Sequence, residues 1–188
     1  MGSLEVVCGP MYSGKSTTIL SRISKANVLG WNYLIFTSSL DTRYAEDAMS
    51  IQTHDGRSIQ AIPSSDLFEI FKHPHYEKAD LVIIEEAQFF NNLYAVVLKM
   101  VDEDKKHVIA VGLDGDAQRK PFGEVLQCIP IADTVTRLAA YCSACRDGTL
   151  APFTSIIIGE THNQIFVGGL ESYQPMCRKH YLANKYRP

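Results

Sequence analysis

An octapeptide near the N-terminus has the residue types and spacing of a phosphate-binding loop. It follows the apolar run 4–8 and matches the pattern G-x-x-x-x-G-K-[ST]. In this pattern, glycines let backbone N–H groups turn toward an anion, the lysine supplies a mobile positive charge and the hydroxyl reaches Mg²⁺. The residues we expect to bind a nucleoside phosphate are Gly9, Pro10, Met11, Tyr12, Ser13, Gly14, Lys15 and Ser16.

Two adjacent carboxylates, Glu85 and Glu86, directly follow the apolar run 81–84. Proteins with a phosphate-binding loop keep a carboxylate for the Mg²⁺ shell at the end of such a strand. Neighbouring side chains of an extended chain face opposite ways, so one carboxylate can serve the metal while the other faces the cleft. A solvated helix start is the alternative. Phe89, just beyond, suggests an apolar wall beside the acids.

Asp41 and Arg43 follow another apolar run, 33–37, and should lie at the same sheet edge, where ligands bind. An arginine in this place can stabilise charge on a transferring phosphoryl group. A surface Asp/Arg pair is the alternative interpretation.

Four further residues have the spacing of metal ligands. Cys142 and Cys145 form one C-x-x-C pair, and Cys177 and His180 form a second pair. Three sulfur donors and one nitrogen donor make a closed tetrahedral site for structural Zn²⁺, which has no position left for a catalytic water. The metal would close a long loop and build a platform; free buried thiols are the alternative.

The elements that position these residues can be read from hydrophobic patterning. Four apolar runs (4–8, 33–37, 81–84 and 108–113) alternate with helix-like stretches, which predicts an α/β fold with a parallel sheet wrapped by helices. A helix is expected over 17–25 and a buried helical stripe over 93–101. The residue pattern changes near residue 140, which predicts a phosphate-binding domain over 1–140 and a zinc-binding domain over 141–188.

Composition narrows the class of protein. The chain has 188 residues, 46% of them hydrophobic, and a net charge of −3 without a basic block. We therefore expect no nucleic-acid partner and, because no apolar run approaches the length of a span, no membrane partner. Five cysteines are too few for a disulfide scaffold, which favours a reducing compartment, the cytoplasm.

Taken together, the motifs resemble the zinc-containing thymidine kinases over nearly the whole chain. The segments that carry the resemblance are 9–16, Asp41-Thr-Arg-Tyr44, Thr53-His-Asp55, Glu85-Glu-Ala-Gln-Phe-Phe90, Leu113-Asp-Gly115, Gln118-Arg-Lys-Pro-Phe-Gly123 and 168–181. The resemblance implies a RecA-like phosphate-binding-loop sheet with a small C-terminal zinc-binding lasso domain. It also implies transfer of the γ-phosphoryl group of ATP to the 5′-hydroxyl of thymidine or deoxyuridine.

The resemblance further implies roles for residues on the phosphate side. Glu86 would be the general base for the 5′-hydroxyl, Lys15 and Arg43 would stabilise phosphate charge, and Ser16 with Glu85 would hold Mg²⁺. Asp41 and Gln88 would also bind the nucleotide. A homotetramer and dTTP as a candidate feedback inhibitor are implied as well.

On the nucleoside side, the resemblance implies a base pocket under a lasso loop. Residues that match it are Met11, Phe89, Leu113, Ala117, Phe122, Thr154, Gln164, Ile165, Phe166, Val167, Gly168 and Tyr173. The lasso would read the thymine edge largely through main-chain groups, as an added strand would.

Three positions depart from the family pattern. Glu85 replaces the usual aspartate, from which we expect a rearranged or water-bridged metal shell. Ala117 replaces an aromatic residue, which should widen the pocket or leave it to be filled by another side chain. His180 replaces a cysteine of many members and remains a good zinc ligand. Two alternatives therefore stay open: an ATPase whose zinc ribbon binds nucleic acid, and a kinase with a broader range of deoxynucleoside acceptors.

Overall fold

A parallel β-sheet forms the centre of the protein in the computed structural model, which describes residues 1–40, 50–52, 58–157 and 172–185. Its six strands lie in the order β5-β2-β6-β7-β1-β8, and every neighbouring pair is parallel. The strands are β1 (Ser3–Cys8), β2 (Tyr33–Ser38), β5 (Ile62–Ser64), β6 (Leu81–Ile84), β7 (His107–Gly112) and β8 (Thr134–Arg137), with a separate antiparallel pair, β3 (Ser50–Gln52) and β4 (Ser58–Gln60). The α/β fold class predicted from the sequence is confirmed.

The four strands predicted from apolar runs are the four inner strands of this sheet, whereas both edge strands escaped prediction. β5 contains Pro63, which cannot donate a backbone hydrogen bond and is tolerated at a sheet edge. β8 is largely exposed and so lacks the continuous apolar run that marks a buried strand.

Helices cover both faces of the sheet. α1 (Lys15–Leu29) begins two residues before the predicted start and ends four after the predicted end, and α2 (Leu93–Leu98) continues into a π-helical stretch, Lys99–Glu103. Three 3₁₀ segments, Leu67–Lys72, Ala87–Phe89 and Val125–Ile131, connect strands and helices.

Side chains of the strands alternate between two hydrophobic clusters, one on each face. In β6, Val82 and Ile84 belong to the cluster under α2, while Leu81 and Ile83 belong to the cluster under α1. The predicted stripe of α2 is core, since Leu93, Val96, Val97 and Met100 are all fully buried. A strand buried on both faces must be apolar at every position, which is why these runs were readable in the sequence.

The C-terminal segment consists of two antiparallel strand pairs and a helix. β9 (Ala140–Tyr141) pairs with β10 (Leu150–Ala151), and β11 (Phe153–Ile156) pairs with β12 (Tyr173–Met176). α3 (Arg178–Lys185) follows directly.

Candidate active site

The phosphate-binding loop joins the carboxyl end of β1 to the N-terminus of α1. Within it, the Ser13 hydroxyl donates to the Pro10 carbonyl oxygen at 2.8 Å, and Lys15 Nζ donates to the same oxygen at 2.9 Å and to the Gly9 carbonyl oxygen at 3.3 Å. The ammonium group therefore lies at the loop itself. Because α1 begins at Lys15, the positive end of its dipole adds to that charge at the place where an anion would bind.

Glu85 connects this loop with two central strands. Its Oε1 lies 3.4 Å from the Ser16 hydroxyl, and its Oε2 lies 3.3 Å from the Thr37 hydroxyl at the end of β2. Its backbone N–H donates to the Phe36 carbonyl oxygen at 2.8 Å. The carboxylate is only 8% exposed. The structure thus brings Ser16 and Glu85 together as the sequence led us to expect, and it adds Thr37, a strand-end hydroxyl that no motif had marked.

Glu86 has an unusual backbone conformation. It lies in the left-handed region, with φ 49° and ψ 40°, immediately before the 3₁₀ segment Ala87–Phe89. A residue with a Cβ atom rarely adopts this conformation, which costs about 1–3 kcal/mol and occurs preferentially at functional sites. Both glutamates lie beyond the last residue of β6, and their carboxylates have different partners, Ser16 and Thr37 for Glu85 and Gln88 for Glu86.

Gln88 is buried and bonded at both ends of its side chain. It is 2% exposed, its Nε2 donates to Glu86 Oε2 at 2.5 Å, and its Oε1 accepts from the Leu113 N–H at 2.9 Å. Its predicted contact with a nucleotide stays a prediction; what the structure gives is a bridge between Glu86 and the end of β7.

Residues expected around the nucleoside base form an apolar group. The rings of Phe89 and Phe122 meet edge to face at 5.5 Å between centroids, and Phe122 is almost fully buried. Tyr173, at the start of β12, is also buried. The Thr154 hydroxyl accepts a hydrogen bond from the Met11 N–H at 3.0 Å, which ties the C-terminal segment to the phosphate-binding loop.

Helix α3 contacts the segment that contains Ala117 and Arg119. The Tyr181 hydroxyl of α3 donates to the Ala117 carbonyl oxygen at 2.7 Å, and the Arg119 guanidinium lies 4.5 Å from the Tyr181 ring centroid. A cleft of about 210 Å³ opens between this segment, Pro10 and Thr154. Neither Tyr181 nor Arg119 was identified from the sequence, because each acts here through a long-range contact that no local spacing reveals.

The predicted zinc ligands converge in space. His180 Nδ1 lies 3.6 Å from Cys142 Sγ and 3.3 Å from the Sγ atoms of both Cys145 and Cys177, and those last two sulfurs are 3.8 Å apart. Tetrahedral Zn²⁺, with Zn–S near 2.3 Å and Zn–N near 2.0 Å, requires separations of about 3.8 Å between sulfurs and about 3.6 Å between sulfur and nitrogen. The four residues therefore fit a structural zinc ion in both chemistry and geometry.

The pKa values of two thiols in this cluster are shifted in opposite directions. Burial acts to raise the pKa of Cys142, but hydrogen bonds from the backbone N–H groups of Cys177, Cys145 and Ala144, and from His180, outweigh it and lower that pKa. Burial and the neighbouring Cys142 sulfur raise the pKa of Cys145. One sulfur is thus prepared as a thiolate, the form that binds metal. Cys8 and Cys128 lie apart, buried in the core as predicted.

Several predicted site residues lie outside the described residues. They are Asp41 and Arg43, which follow β2, and the lasso residues Gln164, Ile165, Phe166, Val167 and Gly168, which lie between β11 and β12.

Comparison with known proteins agrees with this arrangement. The sequence profile of the family described as thymidine kinase matches residues 2–181. The chain belongs to the thymidine kinase family. It is 45% identical over 186 residues to "Thymidine kinase a" of Arabidopsis thaliana, an alignment that covers 97% of this chain and 76% of that protein. It is 40% identical over 185 residues to "Thymidine kinase" of Oryza sativa subsp. japonica, covering 96% of this chain and 66% of that protein.

As a member of the thymidine kinase family, the chain is a kinase, and its phosphate-binding loop and acid-bearing strand end are the parts such chemistry needs. Within the described ranges, no helix is both long and apolar enough to cross a membrane.

Proposed function

We propose that this protein transfers the γ-phosphoryl group of ATP to the 5′-hydroxyl of thymidine or deoxyuridine. The observation that carries the proposal is the pair of carboxylates after β6, one 3.4 Å from the Ser16 hydroxyl and the other on a left-handed residue and bonded to Gln88. Phosphoryl transfer needs one group to organise the donor phosphates and another to orient the attacking hydroxyl. The two glutamates are placed to divide this work.

The donor half of the site is built on the phosphate-binding loop. Lys15 and the N-terminus of α1 would stabilise phosphate charge, joined by Arg43 and Asp41 from the segment after β2. Ser16 and Glu85 present a hydroxyl and a carboxylate, the oxygen donors that Mg²⁺ takes, so these residues fit the ion and would hold it. Bound there, Mg²⁺ would neutralise charge on the β- and γ-phosphates.

The acceptor half lies between the sheet edge and the C-terminal segment. Met11, Phe89, Leu113, Phe122 and Thr154 would surround the base. Ala117 would leave room beside it, Tyr173 would close over the sugar, and residues 164–168 would bind the thymine edge. Glu86 would accept the 5′-hydroxyl proton as that oxygen attacks the γ-phosphorus, with the O–P bond to ADP breaking in line.

The zinc site would act as structure rather than as a reactant. All four ligands would come from protein, so no coordination position is left for water. We further propose a zinc-binding domain over 141–188 and a phosphate-binding domain over 1–140. We also propose a homotetramer that responds to dTTP and works in cytoplasmic nucleotide salvage for DNA synthesis.

Glu86→Gln tests the assignment of the general base. The amide keeps the size of the side chain but cannot accept the hydroxyl proton, so turnover should fall by about 10²–10⁴ while thymidine still binds. Glu77→Gln, at an exposed position of the same residue type, is the matched control and should keep full activity. Equal losses of turnover and thymidine binding in Glu86→Gln would give Glu86 a different role.

A further inference from the structure

We infer that Gln88 is the positioning residue for Glu86: it fixes the orientation of that carboxylate and couples it to Leu113. The inference rests on the proposed role of Glu86 as general base. It starts from an amide that is 2% exposed and bonded at both ends, to Glu86 Oε2 and to the Leu113 N–H.

The direction of these hydrogen bonds follows from the partners alone. A backbone N–H can only donate, so the atom of Gln88 that faces Leu113 must be the carbonyl oxygen. The NH₂ group must then face Glu86, where it donates to a carboxylate oxygen. This hydrogen bond restricts the rotation of the Glu86 carboxylate and so fixes its direction relative to the end of β7.

Two glycines of neighbouring segments leave space for Gln88. A Cβ atom on Gly112 would lie 2.7 Å from Gln88 Oε1 and 3.0 Å from Val125 Cγ2, so a side chain there would displace the amide. A Cβ atom on Gly123, whose φ is +58°, would lie 2.2 Å from the backbone carbonyl oxygen of Gln88. Two glycines from different segments therefore leave space for Gln88, one at its side chain and one at its backbone.

Gln88 would therefore connect the carboxylate of the proposed general base, Glu86, with the proposed nucleoside pocket at Leu113. Glu86 lies in a strained left-handed conformation, and Gln88, two residues later, anchors that turn to the end of β7. Leu113, the residue so anchored, is one of those proposed to surround the thymine. Binding of the nucleoside against Leu113 and orientation of the carboxylate that would accept its hydroxyl proton thus share one side chain.

The test compares Gln88→Met, which removes both hydrogen bonds at similar volume, with Gln88→Glu, which keeps an acceptor for Leu113 but places a second carboxylate beside Glu86. We expect kcat at pH 7 to fall at least about tenfold in both variants while the KM for ATP stays unchanged, because the amide would act through Glu86 on the acceptor side. The fall in kcat should be larger in Gln88→Glu, where a second carboxylate would repel the one that the amide holds. Gln127→Met, at an exposed position, is the matched control.

Two results would overturn the inference. One is an unchanged kcat in both variants, or a raised KM for ATP at unchanged kcat, when thermal unfolding shows them folded, because either result would mean that Gln88 does not act through Glu86. The other is a full additional loss when Gln88→Met is added to Glu86→Gln, since a residue that acts through Glu86 should cost little once Glu86 cannot accept a proton. If Glu86→Gln itself stays active, it is the proposed base role that fails.

Discussion

Release of zinc from the Cys142, Cys145, Cys177 and His180 cluster should destabilise the C-terminal segment and, through it, the active site. The perturbation is chelation of the native protein under reducing conditions, compared with the variant Cys177→Ser. We expect destabilisation because the metal cross-links two ligand pairs that are distant in sequence. Their first members, Cys142 and Cys177, are 35 residues apart.

The size of the effect follows from that span. A cross-link that closes a loop of about 35 residues removes chain entropy worth about 4 kcal/mol from the unfolded state, if a metal clip behaves as a disulfide does. With a urea m value of about 2.5 kcal/mol per molar, the unfolding midpoint should fall by about 1.6 M. Turnover should fall in parallel, because Thr154 and Tyr181 connect the segment to Met11 and Ala117.

Urea unfolding followed by fluorescence, with metal content measured on the same samples, provides the assay. Cys177→Ser should start at the lower midpoint and show no further shift on chelation. Cys128→Ser changes a buried thiol outside the cluster and should keep its sensitivity to chelators. A sample that has lost one zinc per chain, yet keeps its midpoint and its turnover, would refute the structural role of the metal.

Three further outcomes are expected. Thr154→Val leaves the buried Met11 N–H without its 3.0 Å partner and should lower the free energy of unfolding by about 1–3 kcal/mol, which an unchanged urea midpoint would contradict. Burial acts to raise the pKa of Asp104, but hydrogen bonds from Lys99 and a neighbouring tyrosine lower it. This carboxylate therefore stabilises the fold above its unfolded pKa of about 3.9 and ceases to do so as the pH falls through the lowered folded value. Asp104→Asn should lower the free energy of unfolding at pH 7 by about 1 kcal/mol and flatten acid unfolding below about pH 4, and an acid transition as steep as that of the wild type would contradict it. Ala117→Phe should narrow the base pocket and raise the preference for thymidine over deoxycytidine in competition assays, and unchanged selectivity would count against Ala117 as a pocket residue.

Local pattern was sufficient to predict the centre of the fold. The inner strands are buried on both faces and so read as apolar runs, and 81–84 agrees with the observed strand at both ends. The edge strands β5 and β8 were missed because one carries a proline and the other is largely exposed. Placement at a sheet edge depends on pairing with a neighbour, which no short window of sequence contains.

In the candidate site too, residues with a fixed spacing in sequence could be predicted, whereas contacts between distant segments could not. The phosphate-binding loop, the Glu85-Glu86 pair and the zinc ligands have fixed spacings and were identified from them. The family resemblance implied that Gln88 binds the nucleotide, which stays a prediction; its burial and its bridge from Glu86 to Leu113 could not be predicted, because they depend on a left-handed residue and a 3₁₀ turn. Tyr181 lies in a family motif, but its contact with Ala117 joins residues 64 positions apart and so could not be predicted from local spacing.

The account depends most directly on phosphoryl transfer to a pyrimidine deoxynucleoside. Purified protein incubated with ATP, Mg²⁺ and thymidine should produce thymidine 5′-monophosphate and ADP in equal amounts, identified by mass spectrometry, and Glu86→Gln should produce almost none. ATP consumption without a nucleoside product, or no turnover of either thymidine or deoxyuridine, would contradict the proposed reaction.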